Sequence, residues 1–121
     1  MNKLIADKWV KALRSGEYTQ GTDRLQSSYG FCCLGVLCKV GELEGVEVIK
    51  NEHIGQIEGS ELISQEAIKE WSGIKTNTCE SYVIPTKTNK INQRNLAYLN
   101  DSGEYDFNKI ADLIEEHWEQ L

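Results

Sequence analysis

The segment over residues 31–40 constrains the fold more than any other part of this chain. It reads FCCLGVLCKV and is the most apolar stretch of the sequence. Its length suits either a buried strand or a short buried helix. Because Gly41 follows as a natural helix stop, we predict a buried helix and keep the strand as the alternative. Close approach of neighbouring backbones is favoured by its small residues, Cys32, Cys33, Gly35 and Cys38.

A first amphipathic helix is predicted over residues 3–15. Ile5, Trp9 and Leu13 recur on one helical face, which indicates a side buried against a core. Asn2 is a suitable N-cap, and Gly16 stands where a glycine commonly ends a helix.

The last helix is predicted over residues 107–120, after Asp106 as N-cap. Its apolar residues recur at helical spacing, which is the clearest amphipathic pattern in the sequence: Phe107, Ile110, Ala111, Ile114 and Trp118. We expect Trp118 to be a buried anchor, so that its replacement by alanine would cost about 3–5 kcal/mol.

Between these helices the pattern predicts short strands and two further short helices. The helices cover residues 65–72, with Ser64 as cap and Gly73 as stop, and residues 94–100. The strands are predicted over residues 24–27, 46–49, 53–57 and 79–84, from β-rich composition and flanking turn residues. The expected fold class is α+β, with a small antiparallel sheet packed against about four helices in a single domain over residues 1–121.

The net charge of the chain limits the classes of function that we expect. The formal net charge is −6, and the bases form no cluster. Direct binding to nucleic acid is therefore not expected, because it normally requires a basic patch. No apolar run is long enough to span a membrane, and the first residues do not form a secretory signal. These observations predict a cytoplasmic protein that does not bind membranes.

The four cysteines are predicted to be buried, apolar side chains. Their spacing is C-C-x4-C with Cys79 far away, which does not match a zinc-binding pattern. Without a secretory signal a disulfide framework is not expected either. We therefore predict no metal site and no cofactor. The absence of known catalytic motifs favours a protein that is not an enzyme.

Two polar segments contain the candidate ligand-binding residues. The first segment covers residues 13–21, after the first predicted helix. Arg14 in it and Arg24 just beyond it have the guanidinium forks that bind phosphate, and Gln20 adds an amide. Tyr18 could stack on a base, with Trp71 as a further stacking residue. The structural alternative is that Arg14 caps the first helix while Tyr18 and Gln20 support the following strand.

The second segment is the turn-rich sequence Asn-Asp-Ser-Gly at residues 100–103. Asn100 and Asp101 are candidate ligand-binding residues there, since the carboxylate of Asp101 could accept a hydrogen bond from a ligand hydroxyl or amine. The structural alternative is an Asx turn that fixes the loop before the last helix.

Several strings of the sequence resemble one family. They are ALRSGEYTQG at residues 12–21, FCCLGVLC at 31–38, EWSGI at 70–74, LNDSG at 99–103 and FNKIADLIE at 107–115. Together they resemble a widespread group of small uncharacterised bacteriophage and prophage proteins. The resemblance implies a phage source, and small acidic phage proteins often counter host defence.

The leading hypothesis from that resemblance is a protein that sequesters a nucleotide-derived immune signal. The ligand would be of the cyclic ADP-ribose or cyclic nucleotide type, bound without cleavage in a concave pocket. The alternatives are an acidic inhibitor that binds a host defence protein, and a small nucleotide-processing enzyme. A homodimer is expected, because twofold dimers are the commonest assemblies.

Overall fold

The computed structural model describes residues 1–121, of which 46 % are helical and only 6 % lie in bridges. Three single-turn 3-10 helices cover Leu62–Ser64, Ile91–Gln93 and Trp118–Gln120. The five α-helices are α1 (Lys3–Arg14), α2 (Cys33–Leu43), α3 (Glu66–Ser72), α4 (Leu96–Asp101) and α5 (Phe107–His117). Helix α1 packs on α5 and α2, and α2 in turn contacts α3 and α4.

The predicted caps of the terminal helices are confirmed. The Asn2 side chain accepts from the N–H of Ile5, and the Asp106 carboxylate accepts from the N–H of Lys109. These bonds satisfy backbone donors that have no partner within the helix. Gly16 follows α1 with φ of 75°, the left-handed conformation that favours glycine.

The apolar segment over residues 31–40 contributes most of the central helix α2, as predicted. Gly35 is required by packing, because a Cβ there would overlap the carbonyl oxygen of Leu25. Gly41 does not end the helix, which continues to Leu43. Its missing side chain instead makes room for Ile68 and Trp71, where α3 crosses α2.

The predicted α+β fold class is wrong, because the chain forms no sheet. No two of the predicted strands pair with each other, and their residues take part only in isolated bridges, such as the antiparallel bridge between Lys50 and Ile57. Beside this bridge, local bonding competes with further pairing. The Asn51 side chain accepts from the N–H groups of His53 and Ile54, and this bonding competes with strand pairing. Cys79 begins another predicted strand in the left-handed region, with φ of 57°.

The third helix also differs in detail from its prediction. It begins at Glu66, and the Ser64 hydroxyl donates to the carbonyl of Glu58 instead of capping the helix. The preceding Gln65 is buried, and its amide bonds both the N–H and the carbonyl of Ile49. The Gln65 side chain, which also donates to the carbonyl of Glu58, therefore holds both ends of the irregular segment where a sheet was expected.

Two tryptophans have different roles in the core. Trp9 is fully buried, and its indole N–H donates to the carbonyl of Cys33 over 2.8 Å. Trp118 is half-buried, begins the 3-10 turn after α5 and packs against the core, so it is an anchor that is less buried than expected. The prediction assumed that regular helical spacing continues through Trp118, but α5 ends at His117.

The four cysteines are buried and free, as predicted. Desolvation raises the pKa of Cys32 to about 11 and raises the pKa of the other three thiols as well. The buried thiols therefore stay protonated at neutral pH. No helix combines the length and apolar character needed to cross a membrane.

Candidate functional site

The two polar segments predicted to bind a ligand do meet in the fold. The Gln20 amide donates to Asn100 Oδ1 over 3.0 Å, and the N–H of Cys33 donates to the same oxygen. The Asn100 amide group donates to the carbonyl of Gly21 over 2.8 Å. Asn100 is only 1 % exposed, so these bonds form a buried network that ties α4 to the segment before α2.

Arg14 is occupied by protein carboxylates. Its guanidinium bonds Asp112 over 2.6 Å and Glu115 over 2.7 Å, and these bonds raise its pKa. The fork that could bind a phosphate therefore joins α1 to α5. This contact is neither the predicted ligand contact nor the alternative cap of α1.

The two predicted stacking residues have different neighbours. Tyr18 packs edge-on against Phe31, with ring centroids 5.4 Å apart, and also lines a shallow groove with Val40 and Leu43. Trp71 is half-buried against Gly41 of α2. The structure does not bring these rings to one pocket.

Arg24 and Asp101 line separate clefts. Arg24 is exposed in a polar cleft of about 350 Å³, which we call the Arg24 cleft; its lining is Asp23, Arg24, Gln26, Asn51, Ile54, Gln56, Ile57, Glu58, Gly59 and Ser60. Asp101 is the last residue of α4, and its carboxylate accepts from the N–H of Asp23 and from the amide of Asn100. It lines a neighbouring surface depression.

A third cleft, of about 400 Å³, combines two aromatic rings with a cation. We call it the tyrosine cleft; its lining is Pro85, Thr86, Lys87, Thr88, Gln93, Tyr98, Leu99, Ser102, Glu104 and Tyr105. Tyr98 is 43 % exposed on α4, and Tyr105 is half-buried in the connection to α5. None of the residues predicted to bind a ligand lies in this lining.

The loop that forms one wall of the tyrosine cleft is anchored by Arg94. Its guanidinium donates to the carbonyls of Tyr82 and Ile84 and to the side chain of Asn89. Within the wall, the hydroxyl of Thr86 donates to Gln93 Oε1 over 3.3 Å. These bonds shape an exposed segment that has no regular secondary structure of its own.

The opposite wall is supported by the buried network. Gln20 donates a second hydrogen bond, of 2.9 Å, to the carbonyl of Tyr105. Gln20 and Asn100 were predicted to contact a ligand, but they lie behind the cleft and fix its backbone.

An ion pair joins the two walls at the surface. Lys87 Nζ lies 2.6 Å from Glu104 Oε1, with 80 % and 49 % of the two side chains exposed. The hydrogen bond that Lys87 donates to Glu104 raises the pKa of Lys87. Because exposed pairs of this kind contribute little stability, an anionic ligand could compete for Lys87.

The sequence did contain one signal for this cleft. The polar loop after Pro85 includes Lys87 between two threonines, a combination suited to an anionic, hydroxyl-bearing ligand. No sequence pattern predicted the aromatic side of the cleft, because Tyr98 lies next to apolar helical residues that are typical of a core.

A protein-family model, described as Domain of unknown function (DUF8296), matches residues 1–118. The chain belongs to the DUF8296 family. The match extends from α1 through α5, so both walls of the tyrosine cleft lie within the DUF8296 domain. Neither the search of curated proteins nor the search of solved structures gives a match.

Proposed function

We propose that this protein is a phage-encoded counter-defence factor that binds a nucleotide-derived immune signal in the tyrosine cleft and sequesters it without cleavage. The observation that carries the proposal is the shared lining of Tyr98, Tyr105 and Lys87. The phage source rests on the sequence resemblance described above.

The aromatic side of the cleft suits a nucleobase. Tyrosine rings offer faces on which any base can stack, and such stacking contributes about 1–3 kcal/mol per base. The exposed ring of Tyr98 is accessible to a ligand, while the half-buried ring of Tyr105 gives a fixed surface. A volume of about 400 Å³ accommodates a single nucleotide unit.

The polar side suits the sugar and phosphate. The hydroxyls of Thr88 and Ser102 donate to Gln93 and to the carbonyl of Leu99, so their oxygens can accept from a ribose hydroxyl, and Lys87 supplies the positive charge for one phosphate. A ligand with one accessible phosphate and one exposed base therefore matches this lining better than a polyanion does.

Isothermal titration tests this proposal with ADP-ribose, cyclic ADP-ribose, cyclic di-AMP and adenosine as probes. At least one phosphate-bearing probe is expected to bind with a Kd in the micromolar range, and Tyr98→Ala should weaken it about tenfold. Tyr29→Ala is the matched control, because Tyr29 is 85 % exposed and lies outside the cleft. If no probe binds more tightly than about 1 mM, the proposal is wrong.

Sequestration requires that the bound ligand survive. After incubation and heat denaturation of the protein, chromatography should return the bound probe chemically intact. A new product would instead favour the alternative of a small nucleotide-processing enzyme.

We further propose that the protein acts as a homodimer in the cytoplasm of the host cell. Sedimentation equilibrium with and without the bound probe tests the dimer, which a mass of 13.7 kDa at all concentrations would contradict.

The groove beside Tyr18 favours the second candidate function, an inhibitor that binds a host defence protein. Leu43 at its edge is 79 % exposed, and the half-buried Ala12 adds apolar surface above the buried Val40. Leu43→Asp should abolish stoichiometric capture of a host protein from lysate if this candidate is correct, and should leave nucleotide binding unchanged if the first one is.

A further inference from the structure

We propose that the Arg24 cleft is a separate binding site for a zwitterion, specifically a free α-amino acid with an apolar side chain. This inference does not depend on nucleotide binding, because the two clefts share no lining residue.

Charges of both signs line this cleft without neutralising one another. The chain has three arginines, and Arg14 and Arg94 are both bonded to protein groups. The Arg24 guanidinium has no hydrogen bond and no carboxylate within 4.0 Å, although Asp23 and Glu58 line the same cleft. A guanidinium and carboxylates held apart in one cleft can each bind an opposite charge of a single ligand.

The amide side chains add donors beside the guanidinium. Gln26 uses its oxygen to accept from the N–H of Ile57, and Asn51 uses its oxygen for the turn that follows it. Neither NH2 group donates to a protein acceptor. Both can therefore donate to a carboxylate together with Arg24. The ammonium group of the same ligand would contact Asp23 or Glu58.

The net charge of the lining argues against a simple anion. Two carboxylates and one guanidinium leave the cleft at −1, which disfavours free phosphate. A simple cation would leave Arg24 without a counter-charge. Ile54 is 63 % exposed at this cleft and Ile57 is buried beneath it, so they provide an apolar contact for a side chain.

The test is isothermal titration of the full chain with free leucine and two analogues. N-acetyl-leucine lacks the ammonium group, and 3-methylbutylamine lacks the carboxylate. Leucine is expected to bind with a Kd below about 1 mM, and each analogue should bind at least about tenfold more weakly. If leucine does not bind, or if either analogue binds equally well, the proposal is overturned.

Variants assign the binding to this cleft. Arg24→Gln should weaken leucine binding about tenfold or more, because the charged fork to the carboxylate is lost. Lys90→Gln is the control, since Lys90 is an exposed cation outside the cleft. Unchanged binding in Arg24→Gln would overturn the proposal. Failure here would leave the tyrosine cleft unaffected, because neither variant changes its lining.

Discussion

The side-chain amide of Gln20 donates a hydrogen bond of 2.9 Å to the carbonyl oxygen of Tyr105, 85 residues further along the chain. The same amide donates to Asn100 over 3.0 Å. One polar side chain therefore connects the segment after α1 to both α4 and the wall of the tyrosine cleft. Gln20 is a positioning residue in this arrangement.

Replacement of Gln20 by methionine should weaken nucleotide binding without removing any group from the cleft. The carbonyl of Tyr105 loses its donor, so the wall loses its fixed position. We expect the Kd for ADP-ribose to rise by about threefold to tenfold, from a loss of about 0.5–1.5 kcal/mol in one hydrogen bond. Adenosine, which shares the base but lacks phosphate, should weaken by the same factor; a change confined to ADP-ribose would contradict a positioning role.

Replacement of Asn100 by alanine should destabilise the fold strongly. The N–H of Cys33 and the carbonyl of Gly21 would lose their buried partner. Buried groups left unpaired cost about 1–3 kcal/mol, so we expect a loss within that range in urea unfolding. Asn108→Ala on the exposed face of α5 is the matched control and should change stability by less than about 0.5 kcal/mol. Equal effects of the two variants would show that the network contributes nothing.

The two glycines of α2 should differ in their tolerance of alanine. A Cβ at Gly35 overlaps the backbone of Leu25, whereas a Cβ at Gly41 meets only side chains, the end of Ile68 and the ring of Trp71. We expect Gly35→Ala to cost about 2–3 kcal/mol and Gly41→Ala to cost less, because at Gly41 only side chains must shift and helix propensity offsets part of the strain. Thermal unfolding of both variants measures the difference. The reverse order would contradict the close approach of α2 to Leu25.

The buried thiols predict a loss of stability in alkaline solution. The pKa of Cys32 is raised to about 11 in the fold from its ordinary value of 9.0, so the unfolded chain loses that proton first. The stabilisation is complete below pH 9 and disappears as the pH rises towards 11. Unfolding in urea at several pH values should show this decline, with a smaller slope in Cys32→Ala. An identical slope in that variant would contradict the assignment to Cys32.

The accuracy of the sequence analysis depends on how local each interaction is. The caps at Asn2 and Asp106 were predictable because each bond spans three residues. The absence of a sheet could not be predicted, because the backbone N–H of Ile49 bonds the side chain of Gln65, which lies 16 residues away. A β-rich composition shows that a segment can pair, but it does not show which groups compete for its backbone.

The same limit applies to the candidate site. Arg14 has the chemistry of a phosphate ligand, but its partners Asp112 and Glu115 lie about a hundred residues away in sequence. Gln20 and Asn100, both predicted to contact a ligand, bond each other, and their remaining bonds are made to protein groups. The tyrosine cleft depends on the meeting of a loop and a helix, and residue spacing gives no information about that.

The charge pair at the tyrosine cleft gives the most direct test of the account. Lys87→Gln should weaken ADP-ribose binding about tenfold, because the phosphate loses its charged donor. Glu104→Gln should tighten it about twofold to fivefold, because the competing carboxylate is removed and Lys87 is freed. Adenosine binding should change in neither variant. Opposite shifts in the two Kd values for ADP-ribose are the predicted result, and a Kd that is unchanged in both variants would contradict nucleotide binding at this cleft.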